Sequence, residues 1–427
     1  MHRGSPIRHR PAIALTLMVL TAACAGGAAQ DTSPSPWSAW ARVPDDQDIL
    51  GGSDRQQIDG IVAGGPGLVA VGRDLSAGEG GAAAVWTSPD GIAWTRVPHD
   101  EAVFGGPNWE YMWAVAVGGP GLVAVGVDSP GGTDRDAAVW TSPDGVTWTR
   151  VPHDEAVFGG RRQQVMEAVV AGGPGLVAAG YDEGAGDRED GGGWAKDAAV
   201  WTSPDGITWT RVPHDDAVFG GPNSQRMNGI VAGGPGLVAV GYDNSAAGWA
   251  GANSNAAVWT SPDGLTWTRV PDSEVFGDYR WQTMTAVAAG GPGLVAVGYD
   301  GIATNHDAAV WTSPDGVTWA RVPHDEAVFG GPEAQAMNAV VAGGPGLVAV
   351  GYDGVVNDPD TAVWTSPDGA TWTRVPHDAG VFGGLDSEWM NGLVAGGPGL
   401  VAVGYSTASR GWVGVDTNAM VWVSPPG

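Results

Sequence analysis

Only one cysteine, Cys24, occurs in the 427 residues, so no intramolecular disulfide can form and stability must come from packing. Positive charge is also scarce: 20 Lys and Arg stand against 47 Asp and Glu, a net charge of −27. That imbalance argues against nucleic acid and against electrostatic attraction to anionic lipid as partners. It suits a chain that must stay soluble outside the cell. The apolar run Ile13 to Leu20 is too short to span a bilayer. What the chain has in quantity is glycine (71) and proline (31), together with 43% hydrophobic residues. Most of the glycine and proline sits at fixed positions of a repeat, so the composition implies a packed core rather than disorder.

The first residues read as an export signal. Arg3, Arg8 and Arg10 precede the apolar run, and Leu20-Thr-Ala-Ala-Cys24 follows it. This segment resembles the lipobox of bacterial lipoproteins, although Thr21 stands where leucine is usual. The resemblance implies cleavage after Ala23 and lipidation of Cys24, with a lipid anchor as the only membrane contact. The reading for residues 1–23 is a signal peptide, for 24–36 a flexible tether rich in small and polar residues, and for 37–427 one large domain. Without residues 1–23 the chain has 17 basic and 47 acidic residues, a net charge of −30.

One stretch organises that domain: Val139-Trp-Thr-Ser-Pro-Asp-Gly-Val-Thr-Trp148, followed by Thr-Arg-Val-Pro. Its core recurs around Trp86, Trp201, Trp259, Trp311, Trp364 and Trp422, at spacings of 52 to 61 residues. Such a period marks a repeat architecture. The unit from Met227 to Pro271 gives the plan. Met227 to Ala232 is strand A, Leu237 to Tyr242 strand B, Ala256 to Ser261 strand C and Leu265 to Val270 strand D. Pro235-Gly236 predicts a type II turn between A and B, and Ser261-Pro-Asp-Gly264 a tight C–D turn. A three-residue C–D loop would set Trp259 opposite Trp267 as a cross-strand pair.

The ends fix the topology. The last unit stops after strand C, and the first begins with only strand D, around Trp40. Together they complete one unit, which predicts an all-β, seven-bladed β-propeller of four-stranded antiparallel blades, its ring closed by joining an N-terminal strand D to C-terminal strands A–C. Ser-Pro-Asp-Gly-x-Thr-Trp resembles the Asp-box, or BNR repeat, of sialidase-type propellers, where it forms the hairpin between the third and fourth strands. Asp and Gly are adjacent here, whereas the usual Asp-box separates them. The resemblance implies a fold more than an activity.

Candidate functional residues are those that the repeat does not require. The recurring Asp90, Asp144, Asp205, Asp263, Asp315 and Asp368 are expected to bond their own turns. The Val-Pro-His-Asp histidines, one per blade at most, read as loop caps, so no metal and no cofactor is expected. Seven tryptophans outside the C–D pairs, Trp109, Trp113, Trp194, Trp249, Trp281, Trp389 and Trp412, fall in or beside D–A and B–C connections, which emerge on one face. A second set follows the residue that opens strand A: Asp59, Trp113, Glu167, Asn228, Thr285, Asn338 and Asn391. It is expected to ring the mouth of the central channel on that face. Both sets suit a glycan or an envelope protein as ligand. A sialidase-like hydrolase is the alternative, using Glu167 and Asp59 with arginines read as loop residues (Arg55, Arg162, Arg226, Arg280) and with Tyr111 or Tyr279; the Arg-Ile-Pro motif of that family is absent. A non-catalytic scaffold among envelope proteins is the third.

Overall fold

The computed structural model describes residues 39–424 except 45, 47, 52–54, 76–79, 107, 132–133, 185–194, 245–253, 278–280, 303–304, 345, 356–357, 385 and 410–414. Cys24, Trp194, Trp249, Tyr279, Arg280 and Trp412 lie outside the described residues.

The fold is a seven-bladed β-propeller: seven four-stranded antiparallel sheets, each with its strands in the order A-B-C-D. Blade 4 has strands Gln225–Gly233, Gly236–Asp243, Asn255–Ser261 and Thr268–Arg269. Strand A of the other blades is Gln56–Gly64, Glu110–Gly118, Gln164–Gly172, Trp281–Gly290, Ala334–Gly343 and Ser387–Gly396. Blade 7 takes its strand D from the N-terminus, where Ala41 and Arg42 pair with Val423 and Trp422. Strand A of blade 7 packs on strand A of blade 1, which closes the ring. The only helix among the described residues, Glu101–Phe104, is a single turn.

The hydrophobic core lies between blades. In each of seven equivalent clusters, valines and alanines of one blade's B and C strands meet the leucine, the methionine (Ile58 in blade 1) and the tryptophans of the next. Val177, Val200 and Phe219 against Met227, Leu237, Trp259 and Trp267 is one example. Alternation within a strand therefore disappears: both faces of B and C are buried, and Val238, Ala239 and Val240 have no exposed surface.

Two local expectations are corrected. The A–B loop is Gly234-Pro235, between paired Gly233 and Gly236, and Gly234 has φ +57°. Glycine first and proline second is the order of a type II′ hairpin, whose twist matches the strands where type II would splay them. Trp259 pairs not with Trp267 but with Arg269, whose guanidinium lies 5.0 Å from the indole ring. The reason is the turn. Asp263 Oδ1 accepts the N–H groups of Leu265 and Thr266 at 2.9 and 2.7 Å, and its other oxygen accepts the Thr266 hydroxyl. Those residues curl around the carboxylate instead of extending, so strand D shortens to two residues. Trp267 folds over the turn and donates its N–H to Gly264 O at 2.9 Å. The same bonds, first those from the backbone of Thr266 and Leu265, hold the Asp263 carboxyl below its usual range. The recurring aspartates are thus turn builders, as expected.

A buried polar triad ties strands A, B and D. In blade 4, Gln225 Nε2 donates to Asp243 Oδ1 at 2.9 Å and Arg269 donates to Asp243 Oδ2 at 2.6 Å. The arginine–aspartate pair recurs in blades 1 to 6. Blade 7 exchanges the roles: Ser406 stands at the aspartate position, Glu388 at the glutamine position, and Arg42 pairs with Glu388. Blade 2 makes only half of that exchange. Glu110 replaces the glutamine while Asp128 remains opposite it. Two carboxylates then share one arginine, and burial followed by the contact with Asp128 pushes the Glu110 carboxyl up to about 8. Protonated, Glu110 supplies the hydrogen that glutamine supplies elsewhere.

A folded pKa above the unfolded value gives stability that is complete below about 4.5 and is lost as pH rises through about 8. Glu110→Gln is expected to match the parent near pH 5 and exceed it at pH 9, by roughly 2 kcal/mol. Denaturant unfolding at both pH values checks this, and equal curves at pH 9 would refute it.

Candidate functional site

Each strand A carries a β-bulge at the same place. In blade 4, Met227 pairs with Gly241 and Gly229 with Val240, which leaves Asn228 as the extra residue. The register shifts identically at Asp59, Trp113, Glu167, Thr285, Asn338 and Asn391. A bulge re-aims a side chain, and here it turns one residue per blade toward the axis. Strand B must come close at this point: a Cβ on Gly241 would lie 1.8 Å from Arg226 O, which explains the glycine recurring before the Tyr-Asp pair.

These seven residues line one cavity of about 440 Å³, together with Gln57, Arg226, Tyr242, Thr283 and Tyr299. All seven blades contribute to it, so it lies on the propeller axis. The expected ring at the channel mouth is therefore assembled. Its members divide into two kinds. In blades 4 to 7 the bulge residue clamps the next blade. Asn228 Nδ2 donates to Met284 O (2.8 Å), the Thr285 hydroxyl to Met337 O (2.5 Å), Asn338 Nδ2 to Met390 O (2.9 Å) and Asn391 Nδ2 to Ile58 O (3.3 Å). Each amide that donates to a backbone carbonyl keeps its own Oδ1 as an acceptor.

Blades 1 to 3 lack this bond to a backbone carbonyl, although Glu167 of blade 3 reaches blade 4 through its side chain. Asp59 Oδ1 accepts from Gln57 Nε2 at 2.7 Å, while Oδ2 is buried without a hydrogen bond and has Arg73 Nε at 4.0 Å. Burial, opposed by Arg73 and Gln57 and reinforced by Glu167, raises the Asp59 carboxyl to about 6. Trp113 has an indole N–H with no hydrogen-bond partner. Arg73 lies 5.0 Å from the Trp113 ring and 4.8 Å from that of Tyr111. Glu167 pairs with Arg226 at 2.6 Å. Burial works against the Arg226 charge, yet Glu167 with Tyr242 and Tyr181 raises its pKa. The wall over blades 1 to 4 is thus acid, indole, acid and guanidinium, and the wall over blades 5 to 7 is hydroxyl and amides.

Of the tryptophan set, Trp113 alone among the described members lines this cavity. Trp389 stacks on Tyr405, with centroids 4.8 Å apart, as an element of blade 7. Trp281 opens strand A of blade 5 opposite Gly301. Trp109 is exposed, with Arg135 at 5.4 Å. Arg226 and Tyr111, expected in loops, are strand residues. Among the described residues one arginine, Arg226, lines the cavity, and it is engaged with Glu167. Arg73, Tyr242 and Tyr299 were not anticipated. Their position in strand B is tyrosine in five repeats but Arg73 and Val127 in blades 1 and 2, and that break was the available signal.

No family model matches the chain, and no curated protein matches it. Solved structures do. A protein of unknown function from Dyadobacter fermentans DSM 18053 is 13% identical, with a TM-score of 0.42 over 90% of this chain and 97% of that one. An N-acetylgalactosamine deacetylase from F. plautii is 13% identical, with a TM-score of 0.34 over 90% and 93%. Fructan 1-exohydrolase IIa from Cichorium intybus is 13% identical, with a TM-score of 0.33 over 58% of this chain and 53% of that one. At these scores the likenesses carry no argument about activity.

Asp59 gives the site a titration. With its folded pKa raised from 3.8 to about 6, protonation stabilises the fold fully below about 3.8, and this contribution is lost as pH rises through 6. Asp59→Asn is expected to flatten the stability profile between pH 4 and 6, as followed by thermal unfolding; an unchanged slope would exclude Asp59 as its source.

Proposed function

We propose that the chain is a non-catalytic binding protein that takes a hydroxyl-rich ligand, a glycan, at the mouth of the central channel. The observation that carries this reading is the break in sevenfold repetition at the bulge. Blades 1 to 3 place two acids and an indole, Asp59, Glu167 and Trp113, where blades 4 to 7 place side chains that donate to a backbone carbonyl of the next blade, all around one cavity. Sugar hydroxyls can exchange hydrogen bonds with the amides of Asn228, Asn338 and Asn391 and donate to the Glu167 carboxylate, beside the Trp113 side chain. Such ligands need a few placed polar groups beside an aromatic wall. An interaction with an envelope protein through the exposed face is the competing outcome.

A second reading rests on the same pair of acids. Asp59, raised to about 6, and Glu167, paired with Arg226, meet the general requirement that two carboxyl groups in one site have different environments. That reading is a sialidase-like hydrolase with Asp59 as proton donor.

A glycan array probed with the full chain tests the first reading. Binding weakened at least tenfold by Trp113→Ala, with unchanged thermal stability, is expected; unaffected binding would sink it. Turnover of fluorogenic glycosides, sialosides included, that is abolished by Glu167→Gln would establish the hydrolase instead.

For location, the proposal is export with lipidation at Cys24. Metabolic labelling with a fatty-acid analogue is expected to mark the chain and to be lost in Cys24→Ser. Labelling that persists in the variant would rule out that anchor.

A further inference from the structure

The D–A histidines do not converge on one another, but each gathers carboxylates from its own blade. In blade 2, His153 Nε2 lies 3.2 Å from Glu155 Oε2 and 3.7 Å from Asp136 Oδ2. In blade 5, His324 Nε2 lies 3.1 Å from Glu326 Oε2 and 3.9 Å from Asp307 Oδ2. In both blades the three donor atoms lie within 4.8 Å of one another. A tetrahedral ion with donors at about 2.0–2.1 Å separates neighbouring donors by roughly 3.3–3.4 Å, close to these spacings.

Blade 2 has the more buried strand aspartate of the two. The Asp136 side chain is 9% exposed and lies 3.7 Å from His153 Nε2. The surroundings fix the three donors. Phe158 is buried with its ring 6.4 Å from that of His153, and Phe158 O accepts the N–H of Ala137, the residue after Asp136, at 2.9 Å. Asp154 Oδ1 accepts the Ala156 N–H at 3.0 Å and sets the turn that carries Glu155. The loop donors are therefore stapled to the strand donor.

We propose that the rim of blades 2 and 5 binds a first-row divalent cation, with Zn²⁺ as the probe. Each site has one imidazole, two carboxylates that neutralise the ion, and an open position for water. The imidazole disfavours Ca²⁺ and Mg²⁺, which prefer all-oxygen ligand sets. The other blades act as internal controls. Blade 1 keeps His99 and Glu101 but has Ala82 at the Asp136 position, and blade 6 keeps His377 and Asp360 but has Ala379 in place of the glutamate. Blade 3 has the shorter Asp216, and His214 lies 3.9 Å from Asp197. The ligand set with glutamate is complete twice.

Calorimetric titration of the EDTA-treated full chain with Zn²⁺ tests this, alongside Co²⁺ titration followed by the visible spectrum of tetrahedral Co²⁺. Two equivalents are expected, the blade 2 site the tighter because its aspartate is the more buried. His153→Ala should remove one equivalent, His324→Ala the other, and His99→Ala neither, all with unchanged circular dichroism. Absence of stoichiometric binding, or two equivalents persisting in the His153→Ala, His324→Ala double variant, would overturn the proposal.

Discussion

The structure depends on one repeated joint, the strand C tryptophan. Trp201 has no exposed surface, its indole N–H donates to Val157 O at 2.7 Å, and the Arg211 guanidinium of its own strand D lies 5.6 Å from its ring. Val157 belongs to the loop leaving the previous blade, so the bond couples each blade to its predecessor. All seven equivalents form, from Trp86 with Ile49 O to Trp422 with Val381 O. A buried indole N–H without a partner would carry a desolvation penalty of about 1–3 kcal/mol. Seven satisfied joints therefore specify the blade-to-blade register as well as adding burial. Their residues cannot vary without opening a seam, which is why the sequence repeats so closely there.

That constraint also decides what was legible. Blade number, ring closure and the recurring aspartates follow from the period alone, because each blade meets near-identical neighbours. The partner of Trp259 did not follow. Spacing suggested Trp267, but Asp263 binds the two residues before it and shifts the pairing to Arg269. Counting residues across a hairpin assumes extended backbone, and a turn built around a carboxylate breaks the assumption. The type II′ order of Gly234-Pro235 was hidden for a similar reason, since Gly-Pro-Gly offers two ways of placing the central pair.

The channel residues were legible because they are what remains after the repeat is subtracted. A bulge exempts one residue per strand from pairing, so Asp59, Trp113, Glu167, Asn228, Thr285, Asn338 and Asn391 escape the demands of the sheet. Their division into clamps and non-clamps was not legible. It depends on Asn228 and its equivalents reaching a carbonyl more than fifty residues away. Arg73 was missed because its position belongs to the strand B repeat, so that only the break from tyrosine there marked it.

Charge at the triads shows how such a fold accommodates asymmetry. Blade 7 moves its carboxylate from the Asp position to the Gln position, and Arg42 follows it, so the net charge buried there is unchanged. Blade 2 adds a carboxylate without a cation and must hold a proton. Near Trp113 the same blade supplies no inter-blade clamp, and Arg73 of blade 1 reaches over to cover its indole. At the triads the departures fall at blades 2 and 7, whereas at the strand A bulge they gather at blades 1 to 3, on one side of the axis. A ring held by seven equal joints can carry a weakened sector because its neighbours remain fixed. Asymmetry confined to that sector, with the clamps intact in blades 4 to 7, is what a single off-centre ligand requires of a symmetric scaffold.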